Sequence, residues 1–322
     1  MRDAVRSSYP LDVMTWDEDS IHRWLARGAR EERPRGTVGG VNHDAAVLAA
    51  SAGRSVHCVD QTIEGVHVLP GAPARKVGRK ACARALSDLA ATAAHARAVL
   101  CAICVPRTRE EAWIRGVIAG VRKLAREHGA DLIGGDLAAA RGRASVTVSA
   151  IGELAGRKRP PSRDRAKPGQ RVLITGPTGG SSLGRHLTFE PRLAQGRWLH
   201  ERGASAMMDV SDGLAWDLYR LARSSGVRIE LDEVPVHRAA RRLAKSSGRS
   251  ATWHALHDGE DHELIATLAA NDAEDALRAA RRRLPDLTAI GRVRAGQGLW
   301  LRGPDERLRR WSPDEGGYRH GA

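Results

Sequence analysis

Short apolar runs of strand length alternate along this chain with longer segments whose apolar residues recur at helical spacing, and that alternation points to a mixed α/β class. Val77–Ala94 carries Val, Ala and Leu at helical spacing, Val99–Val105 reads as a buried strand, and Arg109–His128 as a long amphipathic helix. Next come the strand-like Leu132–Ile133, a turn at Gly134-Gly135-Asp136, and an alternating segment, Ala144–Leu154, that directs Val146, Val148 and Ala150 to a core. Upstream, Asp17–Arg27 reads as a capped first helix with Ile21, Trp24 and Leu25 on one face, followed by the apolar runs Ala45–Ala50 and Ser55–Val59. Aromatic residues are only 4% of the chain, so its core must be built from Ala, Val, Leu and Ile, which suits helices packed on sheets.

A length of 322 residues favours two domains. Residues 156–170, GRKRPPSRDRAKPGQ, combine Pro, Gly and charge as an exposed connection does. The expected division is therefore a first domain over 1–155, a linker over 156–170 and a second domain over 171–322. The second half reads as the strand Arg171–Thr175, a Gly-rich turn, a helix, the strand Met207–Val210, a helix over Gly213–Ser225 and a strand at Val227–Leu231.

Lys and Arg total 52 against 38 Asp and Glu, a net charge of +14. The basic residues are scattered through Arg157–Arg165, Arg238–Arg242 and Arg281–Arg283 rather than interleaved with aromatics, so nucleic acid is not the expected partner. Cys58, Cys82, Cys101 and Cys104 sit in apolar surroundings, and the pair in VLCAICVP falls inside a strand-like run. They read as core residues of a reducing compartment rather than a zinc or redox motif. No run approaches the roughly 18 apolar residues of a membrane helix, and MRDAVRSSYPLDVMTWDED has no apolar signal region, so a cytoplasmic protein without a membrane partner is expected.

The unusual feature is the company kept by Asp44, Asp60, Asp88, Asp136, Asp209 and Asp212, each beside small residues or at a strand end. One such Asp is an ordinary cap or Asx-turn. Six suggest a site for several Mg²⁺ ions, which take oxygen ligands and bridge protein to ATP phosphates. Phosphoryl transfer depends on positioning and charge neutralisation, so acids and glycines suffice without a Ser/His nucleophile. The run Thr175–Ser182 is Gly-rich after a strand but lacks the lysine of a P-loop.

The ordered set NHDAAVL, VDQTIEGVH, ALSDLAA, LIGGD, AKPGQRVLITG, MDVSDGL and DGEDHEL, spanning roughly residues 38–268, resembles the thiamine-monophosphate kinases. They fall in the superfamily of aminoimidazole ribonucleotide synthetase (PurM-like). The resemblance implies a two-domain α/β (α+β) architecture of mixed sheets flanked by helices, a homodimer, and ATP held by acidic and Gly-rich loops. Carried onto this chain, Asp44, Asp60, Asp88, Asp136, Asp209 and Asp212 look like metal-binding carboxylates. Gly135, Asp136, Arg163 and Ser211 match nucleotide contacts, with Arg165 close by as an alternative to Arg163. His67 and Glu260 match contacts to the thiamine substrate. The implied reaction transfers the ATP γ-phosphoryl group to thiamine monophosphate, giving thiamine diphosphate and ADP. A phosphate monoester, with a second pKa of about 6, is already largely ionised near neutrality, so no catalytic base is nominated.

The chain departs from the family pattern at several places. His43-Asp44 stands where two adjacent acids are usual, and Cys58-Val59-Asp60 where Ser-Thr-Asp is usual. Gly180 replaces a common acid, Asp258 the first Gly of GGED, His262 the Tyr of EDYEL, and Leu137 the Thr after GGD. Gly316-Gly317-Tyr318-Arg319-His320 is similar to a terminal GYxHF segment, but Glu315 stands where a Trp is expected, with Trp311 the nearest substitute. These changes leave open a diverged enzyme acting on another phosphorylated or amine substrate.

Overall fold

The computed structural model describes residues 15–31, 37–39, 45–303 and 305–317. His43, Asp44 and Tyr318 lie outside them. The chain forms two units, one of Met1–Ala50, Val59–Cys82 and Ala98–Ser149, the other of Ser51–Cys58, Ala83–Arg97 and Ala150–Ala322.

The first half of the chain supplies α1 (Glu18–Glu31) and an antiparallel ribbon of β1 (Thr37–Gly39) and β2 (Val47–Leu48). It continues with β3 (Arg54–Ile63), α2 (Ala74–Ala91), β4 (His95–Val105), α3 (Glu111–Glu127), β5 (Asp131–Ala139) and β6 (Ser145–Leu154). The strands form a sheet in the order β3-β6-β4-β5, with β4 and β5 parallel. Along β6 burial alternates residue by residue, and Val146, Val148 and Ala150 are all buried, as the period of two requires. On α3 the buried stripe is Ile114, Val117, Ile118, Val121, Leu124 and Ala125. Cys82 and Cys101 are buried, and all four cysteines are free thiols. Burial pushes the Cys101 thiol up to about 12, so it stays protonated and packs as a small apolar side chain.

One expected element is corrected. Gly134-Gly135-Asp136 is not a turn, because β5 runs through it, pairing Gly134 with Leu100, Gly135 with Cys101 and Asp136 with Ala102. Ile133 is an extra residue in this ladder, marked by the register shift between Val99 and Leu100. The glycine pair signals close approach rather than reversal: a Cβ on Gly135 would lie 1.9 Å from the Cys101 carbonyl oxygen.

The second half supplies β7 (Arg171–Ile174), α4 (Leu193–Glu201), β8 (Ala206–Asp209), α5 (Leu214–Ser225), β9 (Arg228–Leu231), α6 (Arg238–Ser247) and α7 (Ala251–His257). It ends with β10 (Leu264–Leu268), α8 (Ala270–Ala280), β11 (Thr288–Arg294), β12 (Gly298–Arg302) and β13 (Leu308–Arg310). The seven-stranded sheet has the order β13-β12-β9-β11-β7-β10-β8 and is mixed, β12 and β9 being parallel and β10 antiparallel to both neighbours. Val172, Ile174, Met208 and Ile265 face a core completed by α5, while Leu173, Met207 and Ala266 face another completed by α4 and α8. Both faces of β7, β8 and β10 are covered, which is why these strands read as continuous apolar runs. Trp311 is part of the α5-side core, 1% exposed, and its indole N–H donates to His257 Nε2 at 3.3 Å. A buried tryptophan with its donor already used is a packing residue, not a stand-in for the family's terminal Trp.

Among the described residues no helix is long and apolar enough to cross a membrane.

In the first unit α2 and α3 touch backbone to backbone. A Cβ on Gly78 would lie 1.9 Å from the Val117 carbonyl oxygen, and one on Gly120 would lie 2.1 Å from that of Arg75. Gly78→Ala must therefore push the helices apart, and denaturant unfolding should show a loss of about 1–3 kcal/mol; an unchanged midpoint would mean that the contact yields freely.

Candidate active site

In the second unit the candidate residues gather at the ends of β8 and β10. Asp209 is the last residue of β8, opposite Leu264 at the start of β10. Beyond the ladder the two segments stay joined, because Val210 N–H donates to Glu263 O, His262 N–H to Val210 O and Glu260 N–H to Ser211 O. Asp209 is 4% exposed, and its Oδ2 accepts from Ser87 Oγ at 2.7 Å and pairs with His262 Nδ1 at 2.9 Å. Burial acts to raise its pKa, but the His262 and Ser87 hydrogen bonds and the nearby charge of Arg163 prevail and hold the carboxyl below its ordinary range.

The following loop, Val210–Gly213, is fixed from α5. Asp217, in the first turn of that helix, accepts the N–H groups of Ser211 at 2.9 Å and Asp212 at 3.0 Å on Oδ2. Its own pKa is pushed up to about 8 by burial and by the charge of Asp212. Arg220 bridges Asp212 and Asp217. Ser211 and Asp212 are thus held by Asp217 and Arg220, which sequence reasoning missed; the available signal was an Asp one turn into the helix after DVSDGL.

Residues 258–263 spend their acids on neighbouring backbone and arginines. Asp258 accepts Gly180 N–H at 2.7 Å, and Asp261 accepts Gly179 N–H at 2.9 Å and also pairs with Arg185. Glu263 takes the Thr175 hydroxyl at 2.6 Å and a two-point contact from Arg192. Glu260 lies 3.4 Å from His186 Nδ1. The backbone donors of Gly179 and Gly180 are therefore already engaged by carboxylates, and this loop does not cradle phosphate as a P-loop does. Glu260 and His262 both have φ of 52°, left-handed values uncommon for residues with a Cβ. Gly180 and Asp258, read as separate departures, prove to be hydrogen-bonded to each other.

Asp88 is half-buried in the last turn of α2, where a carboxylate opposes the negative end of the helix dipole. Arg163 is exposed, whereas the Arg165 guanidinium is bonded to the Pro160 carbonyl. The two arginines therefore differ in engagement, Arg165 being tied to its own loop and Arg163 standing exposed.

In the first unit Asp60 is half-buried on β3, with Oδ1 accepting Gln61 N–H at 2.8 Å. His67 closes the turn after β3: its Nδ1 accepts Ile63 N–H at 3.0 Å, which puts the ring proton on Nε2. The buried Lys80 ammonium donates to the His67 carbonyl. Gly135 and Asp136 are exposed on β5, an edge strand.

Two family models match the chain: AIR synthase related protein, N-terminal domain, over residues 42–154, and AIR synthase related protein, C-terminal domain, over 180–302. A thiamine-monophosphate kinase of Rhodopirellula baltica is 33% identical, over 94% of this chain and 97% of its own length. The chain belongs to the thiamine-monophosphate kinase family. The crystal structure of such a kinase from Stenotrophomonas maltophilia is 31% identical, covers 86% of this chain and 94% of its own, and superposes with a TM-score of 0.75. Hydrogenase maturation protein HypE in complex with ATP reaches a TM-score of 0.77, but at 22% identity it shares the fold alone.

Among the described residues no three His, Cys, Asp or Glu side chains are drawn into one metal-holding group. The donor chemistry of the acids nevertheless fits a hard cation, since carboxylate oxygens are what Mg²⁺ takes. Asp209 also keeps both protein donors on Oδ2, leaving Oδ1 for a further partner.

Burial pushes Asp261 up to about 7 against the pull of Arg185 and Gly179 N–H. A carboxyl raised above its unfolded value of about 3.9 stabilises the fold in its protonated form, and that contribution fades as pH rises through 7. Melting temperatures of the parent and Asp261→Asn, compared at pH 5 and pH 8, should show the parent's relative advantage larger at pH 5. An advantage that grows towards pH 8 would mean that the ionised form is the one the fold prefers.

Proposed function

We propose that this chain transfers the γ-phosphoryl group of ATP to thiamine monophosphate, yielding thiamine diphosphate and ADP. The observation that carries the reading is identity to a thiamine-monophosphate kinase spread over 94% of this chain and 97% of the relative, which leaves little of either protein unaccounted for. The retained acids support it: Asp60, Asp88, Asp136, Asp209 and Asp212, with Asp44 assigned from sequence, would hold Mg²⁺. When bound, Mg²⁺ screens the negative charge of the two phosphates that must meet.

The chain's own residues then have separate tasks. Asp217 fixes the Ser211-Asp212 backbone from below, so Ser211 meets the nucleotide from a loop that cannot drift. Gly135 and Asp136 offer an exposed strand edge to the nucleotide, and Arg163 an exposed guanidinium to its phosphates. His67, with its proton on Nε2, and the Glu260 carboxylate are assigned to the thiamine moiety. The nucleophile is the ionised phosphate of the substrate, so none of these side chains needs to remove a proton.

A homodimer is part of the same proposal. β3 is a sheet edge, and Val59 on it is 62% exposed, with Leu69 just beyond at 77%. An apolar edge of this kind calls for cover. Sedimentation velocity at micromolar concentration should give the mass of two chains; a single chain would remove the dimer from the account.

The position of Asp88 supplies the mutational test. Because a carboxylate in the last turn of α2 opposes the helix dipole, its replacement by the isosteric Asn should change the melting temperature little. Turnover of thiamine monophosphate should fall by about two orders of magnitude or more, equivalent to ~3 kcal/mol of transition-state stabilisation. Turnover near the parent rate would take Asp88 out of the metal set.

A further inference from the structure

His262 stands where the family pattern has Tyr, and its surroundings give it more than a packing role. It is 2% exposed, lies face to face with Phe189 at 4.0 Å between ring centroids with planes 15° apart, and has its backbone N–H bonded to Val210 O. Its Nδ1 is 2.9 Å from Asp209 Oδ2. An ionised carboxylate only accepts, so Nδ1 carries the proton and points it at Asp209. The ring is held in this direction from three sides: by the Phe189 face, by the backbone bond to Val210 and by a φ of 52°. The bond is kept at a cost, because His262 Nε2 is buried without a hydrogen-bond partner.

Ser87 Oγ reaches the same oxygen at 2.7 Å, from α2. Two donors on Oδ2 fix the rotation of the carboxylate about its last bond and turn Oδ1 to a constant direction. Outer donors of this kind orient a ligating carboxylate and set its affinity for a metal.

We propose that His262 is a positioning residue, which together with Ser87 clamps Oδ2 of Asp209 so that the carboxylate is presented to a divalent cation in one orientation. The inference rests on the assignment of Asp209 to the metal set. A tyrosine in its place would offer one hydroxyl at the end of a longer side chain; the imidazole brings the donor close to the backbone, where the left-handed turn aims it.

The test compares His262→Asn, His262→Gln and His262→Phe. Asn places an amide N–H near the position of Nδ1 and tolerates positive φ better than other residues with a Cβ. Gln carries its amide one bond further out, and Phe keeps the ring on Phe189 without a donor. Mn²⁺ binding to each protein saturated with a non-hydrolysable ATP analogue is followed by electron paramagnetic resonance, with near-ultraviolet circular dichroism to confirm packing. The Mn²⁺ dissociation constant should rise about 10–100-fold for Phe and Gln and stay within about threefold for Asn. Should Phe fail to fold, Gln carries the comparison. Parent-like binding in Gln or Phe, or a loss in Asn equal to theirs, overturns the proposal. Asp209→Asn separates the two assignments: if it binds Mn²⁺ normally, Asp209 is no metal ligand and the proposal falls with that reading. If it loses Mn²⁺ while Gln and Phe do not, only the positioning role falls.

Discussion

A carboxylate almost sealed from water must be given donors or give up its charge, and the means by which Asp209 keeps its charge organises the second unit. Ser87 comes from α2, His262 from the segment leading into β10, and both bond the same oxygen. Meeting these demands requires the ends of β8 and β10 to stay joined past their ladder, which the bonds of Val210, Ser211, Glu260, His262 and Glu263 accomplish. The apolar strands β7, β8 and β10 are covered on both faces, which anchors the segments that leave their ends in the two cores.

From that fixed point the loops are tied in sequence. Asp217 holds Ser211 and Asp212 by their backbone, while Asp258 and Asp261 occupy the donors of Gly180 and Gly179. Charge is distributed unevenly as a result. The Gly-rich loop has its donors neutralised, and Asp209 is held ionised. Backbone amides engaged in this way are not offered to phosphate, in keeping with a Gly-rich run that lacks the lysine of a P-loop.

The alternation of strands and helices, the two-domain α/β class and the family were all legible in the sequence, because each rests on a pattern that repeats over many residues. What was not legible depended on contacts between distant segments. Gly134-Gly135-Asp136 carries the composition of a turn, but parallel pairing with β4 demanded glycine for lack of space and kept the backbone extended. Trp311 stood in the sequence as the nearest substitute for the family's terminal Trp, yet its burial and its bond to His257 make it core. Gly180 and Asp258 looked like two unrelated departures because 78 residues separate them, and only the fold shows one hydrogen-bonding the other. Ser87 was hidden by its neighbour Asp88, while His262 was legible as a departure from the family's Tyr but its pairing with Asp209, 53 residues away, was not.

The central claim is that this chain makes a new phosphoanhydride on thiamine monophosphate from the γ-phosphate of ATP. Phosphorus NMR of a reaction holding the purified full chain, ATP, Mg²⁺ and thiamine monophosphate tests it most directly. The account predicts the paired doublets of thiamine diphosphate appearing in step with ADP, and no phosphorylated product when thiamine replaces the monophosphate. ATP bound but no thiamine diphosphate formed would contradict it, and would assign these acids and this fold to a different phosphoryl acceptor.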